Sequence, residues 1–146
     1  MHREPCQKSG SVDELMTPRP VAVLPDARVG DVWLTMNERR FRHMPVVDEE
    51  GRLVGILSQR DLLGYGVGRE DARLVSELMH TAVDTATPDC CIAEAARHML
   101  LHKRSCLPVV EVDGRLLGIL TEADYLRLAT RGAPACTCVG VNAGGS

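Results

Sequence analysis

Sliding the sequence along itself by 63 residues brings Val12-Asp13-Glu14-Leu15-Met16 onto Val75-Ser76-Glu77-Leu78-Met79, and Pro25-Asp26 onto Pro88-Asp89. The register holds further on. Met44-Pro45-Val46-Val47 meets Leu107-Pro108-Val109-Val110, and Gly51-Arg52-Leu53-Val54-Gly55-Ile56-Leu57-Ser58 meets Gly114-Arg115-Leu116-Leu117-Gly118-Ile119-Leu120-Thr121. Between residues 12–65 and 75–128, 18 of 54 ungapped pairs are identical, where unrelated sequence gives roughly one in twenty. A repeat of this length must be read before any single element, because each copy is one supersecondary unit. Two copies fill most of the chain.

Each copy carries the same local signals. A short extended segment near Val21 to Leu24 precedes Pro25-Asp26, and Val29, Val32, Trp33 and Met36 then recur at helical spacing. Ile92, Ala95, Ala96 and Met99 repeat that pattern. Two apolar runs, Met44 to Val47 and Leu53 to Leu57, flank a polar turn, which predicts a hairpin; Val112-Asp113-Gly114 supplies the second copy's turn. A last helix begins at Ser58 or Thr121. The unit is β-α-β-β-α, an α/β (α+β) fold with two copies packed about a pseudo-two-fold axis, since one copy alone is too small to cover its own apolar surface. The expected divisions are an N-terminal extension 1–11, a first repeat 12–65, a linker 66–74, a second repeat 75–130 and a flexible tail 131–146.

Composition narrows the function. A formal charge of −3 and 3% aromatic residues argue against a phosphate-backbone or base-stacking nucleic-acid binder. No apolar run reaches the roughly 18 residues of a membrane span, and the polar start carries no signal-peptide core, so a cytoplasmic protein with mostly reduced cysteines is expected. No nucleophile elbow, paired-histidine zinc motif or phosphate-binding glycine loop is present, so no enzyme is expected.

In their order, the Glu-Leu-Met start, the Pro-Val-Val strand, the Gly-Arg-Leu-x-Gly-Ile-Leu strand and the Ser/Thr-x-x-Asp tetrad resemble a tandem pair of cystathionine-beta-synthase (CBS) domains over roughly residues 12 to 130. The resemblance implies a regulatory module with no cofactor. It implies ligands that contain adenosine (AMP, ADP, ATP or S-adenosylmethionine), held in clefts between the repeats and signalled to a partner. It also implies a homodimer, built on Leu62, Leu63, Tyr125 and Leu126. The rival class is a scaffold that dimerises or holds a partner without any ligand.

The tetrads Ser58 to Asp61 and Thr121 to Asp124 read two ways. Their spacing is that of a helix capping box, which satisfies the first N–H groups of a helix by itself. The resemblance adds that Asp61 and Asp124 accept the ribose hydroxyls. It likewise implies that Arg42 and His43 meet phosphate in the cleft of Thr121 and Asp124, against a plain reading as a solvated cluster beside Arg39 and Arg40 at a helix C-terminus. Ser105 and Cys106 replace that pair in the second copy and leave the Ser58 and Asp61 cleft less basic. Arg104, where the first copy has Phe41, either snorkels along the helix end or reaches into a cleft. The resemblance places adenine against Val21, Ala22, Val23, Met44 and Pro45 in one cleft, and against Asp84, Thr85, Ala86, Leu107 and Pro108 in the other; the alternative for these residues is core. His98, His102 and Cys106 have helical metal-ligand spacing only if the helix runs on to Cys106. Cys136 and Cys138 form a sparse candidate soft-metal pair.

Overall fold

The computed structural model describes residues 10–132 and 139–140. Most of the expected tail, with Cys136 and Cys138, lies outside them. The first copy contributes α1 (Val12–Leu15), β1 (Thr17–Pro18), α2 (Val29–Arg39), β2 (His43–Val47), β3 (Leu53–Ser58) and α3 (Gln59–Gly64). The second contributes α4 (Val75–Leu78), α5 (Ile92–His102), β4 (Cys106–Val110), β5 (Leu116–Thr121) and α6 (Glu122–Thr130). Helices and hairpins thus stand where the periodicity puts them. The Pro-Asp pair forms a turn just ahead of each long helix, and Arg28 and Cys91 occupy the N-cap positions.

The hairpins β2–β3 and β4–β5 are antiparallel and share one register, His43 opposite Ser58 and Cys106 opposite Thr121. Their turns meet between the repeats, where the Leu53 N–H donates to the Gly114 carbonyl and the Leu116 N–H to the Gly51 carbonyl, both at 3.0 Å. These bonds exchange equivalent residues, as a pseudo-two-fold axis requires. Gly51 and Gly114 have φ of +80° and +92°, a turn conformation that other residues enter only with strain.

The first strand expected in each copy contracts to a single parallel bridge, Val23 to Val46 and Ala86 to Val109. Proline explains the shortness. Pro20 and Pro25 bracket one segment and Pro88 ends the other, and a residue without an N–H cannot extend a ladder.

The segments ahead of the first bridges cross between repeats. α1 delivers Val12 and Leu15 to the second repeat's core, among Ile92, Ala95, Met99, Leu107, Val109 and Leu120. β1 pairs with β5, Thr17 opposite Ile119. In return Val67 and Val75 enter the first core, with Val29, Val32, Met36, Met44, Val46, Leu57 and Leu62, and His80 bridges to Ile56 on β3. Close approach of each crossing segment to its host needs glycine: a Cβ on Gly118 would stand 2.9 Å from the Thr17 carbonyl oxygen, and one on Gly55 would stand 3.0 Å from that of His80. The periodicity carries no sign of this exchange, since an apolar residue looks the same whichever core receives it.

Burial revises one further expectation, and a disulfide qualifies another. Leu62 is fully buried, and Tyr125 donates its hydroxyl to the Ile92 carbonyl at 2.7 Å, so the expected docking face keeps only Leu63 and Leu126. Among the cysteines expected as thiols, Cys106 is a buried thiol pushed up to about 12 by desolvation, whereas Cys91 is disulfide-bonded. Among the described residues, no helix is long and apolar enough to cross a membrane.

Candidate functional site

Each last helix starts where its strand ends, which sets a hydroxyl and a carboxylate side by side at the junction. At α3 the Ser58 Oγ accepts the Asp61 N–H at 3.0 Å. At α6 the Asp124 carboxylate accepts the Thr121 N–H at 2.8 Å. The capping role of both tetrads is therefore realised in the fold.

A cavity of about 630 Å³ opens beside the first tetrad. Its lining comes from Ser58, Arg60, Asp61 and His43 of the first repeat, from the crossing segment Met79 to Asp84, and from Lys103, Arg104, Ser105 and Pro108 of the second repeat. It is thus built between repeats, as the resemblance implies. Asp61 lies within it, its side chain 31% exposed, 2.8 Å from His80 Nε2. Burial pushes its carboxyl up, but hydrogen bonds from Ser58 and His80 and the charge of His80 outweigh this and hold it below the usual carboxylate range.

Arg104 lines the cavity and is held by an ion pair. Its Nε meets Asp84 at 3.0 Å, and His98 Nε2 meets the same oxygen at 3.0 Å. These two bonds, His98 first, hold the Asp84 carboxyl below its ordinary value. Lys103, next to it, closes α5 in the left-handed region at φ 54°, as Arg40 closes α2 at φ 58°. A cation at a helix C-terminus is electrostatically favoured there. The helix ends at His102, so Cys106 sits on β4 and not in line with His98; the His98 and His102 rings lie 4.3 Å apart. Among the described residues, no group of three His, Cys, Asp or Glu side chains is placed to hold a metal.

His43 is held in the seam between repeats, its Nε2 2.8 Å from Ser105 Oγ. Burial lowers its pKa from 6.5, the Arg42 charge pushes the same way, and Glu122 and Asp61 pull back. A histidine with a depressed folded value binds fewer protons folded than unfolded. Its stability contribution is therefore complete above 6.5 and is lost as pH falls from 6.5 toward the folded value. Melting temperature is expected to drop as pH is lowered from about 7.5 to 5, and His43→Gln to flatten that slope; an unchanged slope in the variant would refute the assignment to His43.

The other residues implied for the clefts are distributed differently. Met44, Leu107 and Ala86 are core side chains; Val23 packs partly against the first core, and Val21 is exposed. Pro45 is buried, Ala22 half-buried and Arg42 exposed, none of them on the large cavity. Thr85 lines a smaller cavity of about 220 Å³ with Val54, Val83 and Val110. Thr121 is half-buried, and Asp124 is only 2% exposed. His80, Lys103 and Arg60 line the large cavity and are absent from the sequence-based set. The position of Lys103 and Arg104 just before the Pro-Val-Val strand was the available signal. His80 was hidden because it arrives on a crossing segment.

Two β-α-β-β-α repeats, joined turn to turn about a pseudo-two-fold axis with a charged cleft between them, define a CBS-type domain pair. The CBS domain family profile matches residues 12–68 and 75–131, and the chain belongs to that family. CBSX2 from Arabidopsis thaliana, solved in complex with AMP, is similar in structure at TM-score 0.75 and 32% identity, covering 82% of this chain and 95% of that one. The CBS domain pair of protein MJ0100, solved with 5′-methylthioadenosine and S-adenosyl-L-methionine, is similar at TM-score 0.75 and 26% identity, covering 83% and 96%. Homoserine O-acetyltransferase of Methanococcoides burtonii is 36% identical over 118 residues, 81% of this chain. The chain spans only 24% of that relative's length.

Proposed function

We propose that this chain is a regulatory, non-catalytic sensor of adenosine-containing ligands (AMP, ADP, ATP or S-adenosylmethionine), acting in the cytoplasm and read by a partner protein. One observation carries the reading: the cavity between repeats is lined both by a part-exposed carboxylate, Asp61, and by the cations Lys103 and Arg104, the latter paired with Asp84. A ribose needs an acceptor for its hydroxyls and a phosphate needs cations. The cavity offers both in its lining. The complexes of CBSX2 with AMP and of the MJ0100 pair with S-adenosyl-L-methionine support the ligand class.

Titration calorimetry and thermal shift with a panel of AMP, ADP, ATP, S-adenosylmethionine and adenosine test this. A phosphorylated ligand is expected to bind more tightly than adenosine, with affinity falling as salt rises. At a hundred times its Kd the ligand stabilises the fold by about 2.7 kcal/mol. Absence of binding by every member of the panel to folded protein would overturn the sensor reading in favour of the ligand-free scaffold.

The same proposal includes a homodimer through helix faces. Leu63, Leu126, Leu100 and Leu101 are 66%, 70%, 80% and 78% exposed, apolar surface that water does not favour. Sedimentation at tens of micromolar is expected to show a dimer. A monomer there would overturn it.

A further inference from the structure

The two tetrads are equivalent in sequence, yet their carboxylates have unlike surroundings. Asp124 has a side chain 3% exposed. Its Oδ1 accepts from Thr17 Oγ1 at 3.2 Å and pairs with Arg127, while its Oδ2 accepts the Thr121 N–H at 2.8 Å and the Thr121 hydroxyl at 3.2 Å. Two oxygens offer roughly four acceptor sites, and all four are taken. A ribose diol could reach Asp124 only by displacing Thr17 or Arg127 from a carboxylate that is itself buried. Asp61 also takes hydrogen bonds from Ser58 and, at the position equivalent to Thr17, from His80, but its side chain has ten times that exposure and borders the large cavity.

Three substitutions between the copies favour the Asp61 cleft, although Ser105 there stands where the first copy has Arg42. Arg127, which closes on Asp124, replaces Gly64. Arg104, which faces the Asp61 cavity, replaces Phe41, which packs against the first core. Arg60, which also lines that cavity, replaces Ala123. One cleft therefore gains cations around a part-exposed carboxylate held by Ser58 and His80, and the other buries its carboxylate under four internal bonds.

We infer that each chain holds one adenine ligand, in the Asp61 cleft, and that Asp124 is a strut tying the crossing strand β1 to α6. The inference rests on the sensor reading. Calorimetry with AMP, or with the tightest panel member, is expected to give one site per chain. Asp61→Asn is expected to weaken binding about ten-fold or more, as loss of a charge-assisted hydrogen bond does. Asp124→Asn is expected to lower the melting temperature and leave Kd within about two-fold at a temperature where the variant is folded. Thr17→Val removes a strut partner without altering Asp124, and serves if Asp124→Asn fails to fold; it is expected to bind one ligand at the wild-type Kd.

Two sites per chain in the wild type would overturn the inference while leaving the sensor reading intact. So would a single site lost on Asp124→Asn and kept on Asp61→Asn. Failure of all adenine ligands to bind would overturn the sensor reading itself and this inference with it.

Discussion

Removal of residues 1–18 is expected to strip the second repeat of its protection against hydrogen exchange before the first. The deleted stretch carries Val12 and Leu15, 0% and 6% exposed, out of the second core. At about 1.5–3 kcal/mol for each buried side chain, these two alone account for roughly 3–6 kcal/mol. That is a large part of the 5–15 kcal/mol that usually holds a domain folded. The deletion also takes the Val12 N–H from the Cys90 carbonyl and the Asp13 N–H from the Pro88 carbonyl, bonds of 2.8 and 3.0 Å, and opens the edge of β5. The first core keeps its own crossing residues, Val67 and Val75. Exchange monitored by mass spectrometry is therefore expected to show β4 and β5 unprotected while β2 and β3 retain slow amides. Equal loss in both hairpins, or none, would overturn the assignment of the N-terminal segment to the second repeat.

Leu57→Ala is expected to cost about 2–5 kcal/mol, the range for a leucine truncated in a core that cannot collapse around the gap. Leu57 is 0% exposed in the first core, fixed on β3 opposite Met44 and packed among residues of two helices and the crossing segment. Trp33 packs partly against the same core, and it is the chain's single tryptophan. Its fluorescence therefore reports this core directly in a denaturant titration. Leu120, 0% exposed in the second core and opposite Leu107, is its counterpart and is expected to cost a similar amount on truncation. A loss below about 1 kcal/mol in Leu57→Ala would show that the first core repacks freely.

Much of this fold can be read in the sequence because it repeats local instructions twice. The period of Val29, Val32 and Met36, the turns at Gly51 and Gly114 and the caps at Ser58 and Thr121 act within a few residues of themselves, and the structure places them accordingly. What escaped depends on partners distant in the chain. Val12 and Val75 look like the starts of their own repeats, yet each is buried in the other. The site shows the same division. A tetrad announces a carboxylate at a helix start, but only the third dimension tells that Thr17 and Arg127 complete the bonding of Asp124 while Asp61 faces a cavity. Arg104 was visible as a departure from Phe41; its hold on Asp84 needed two segments to meet.

The exchange of segments also sets a timetable during synthesis. β1 finds its partner only when β5 has left the ribosome, since Thr17 pairs with Ile119. At about 5–20 residues per second, the intervening stretch of about a hundred residues takes roughly 5–20 s to appear. For that interval Val12 and Leu15 have no core to enter, while the first repeat closes as soon as Val75 and His80 emerge to serve it. A neighbouring nascent chain that presents its own β5 first would capture the waiting segment, and the product would be two chains with their N-termini traded.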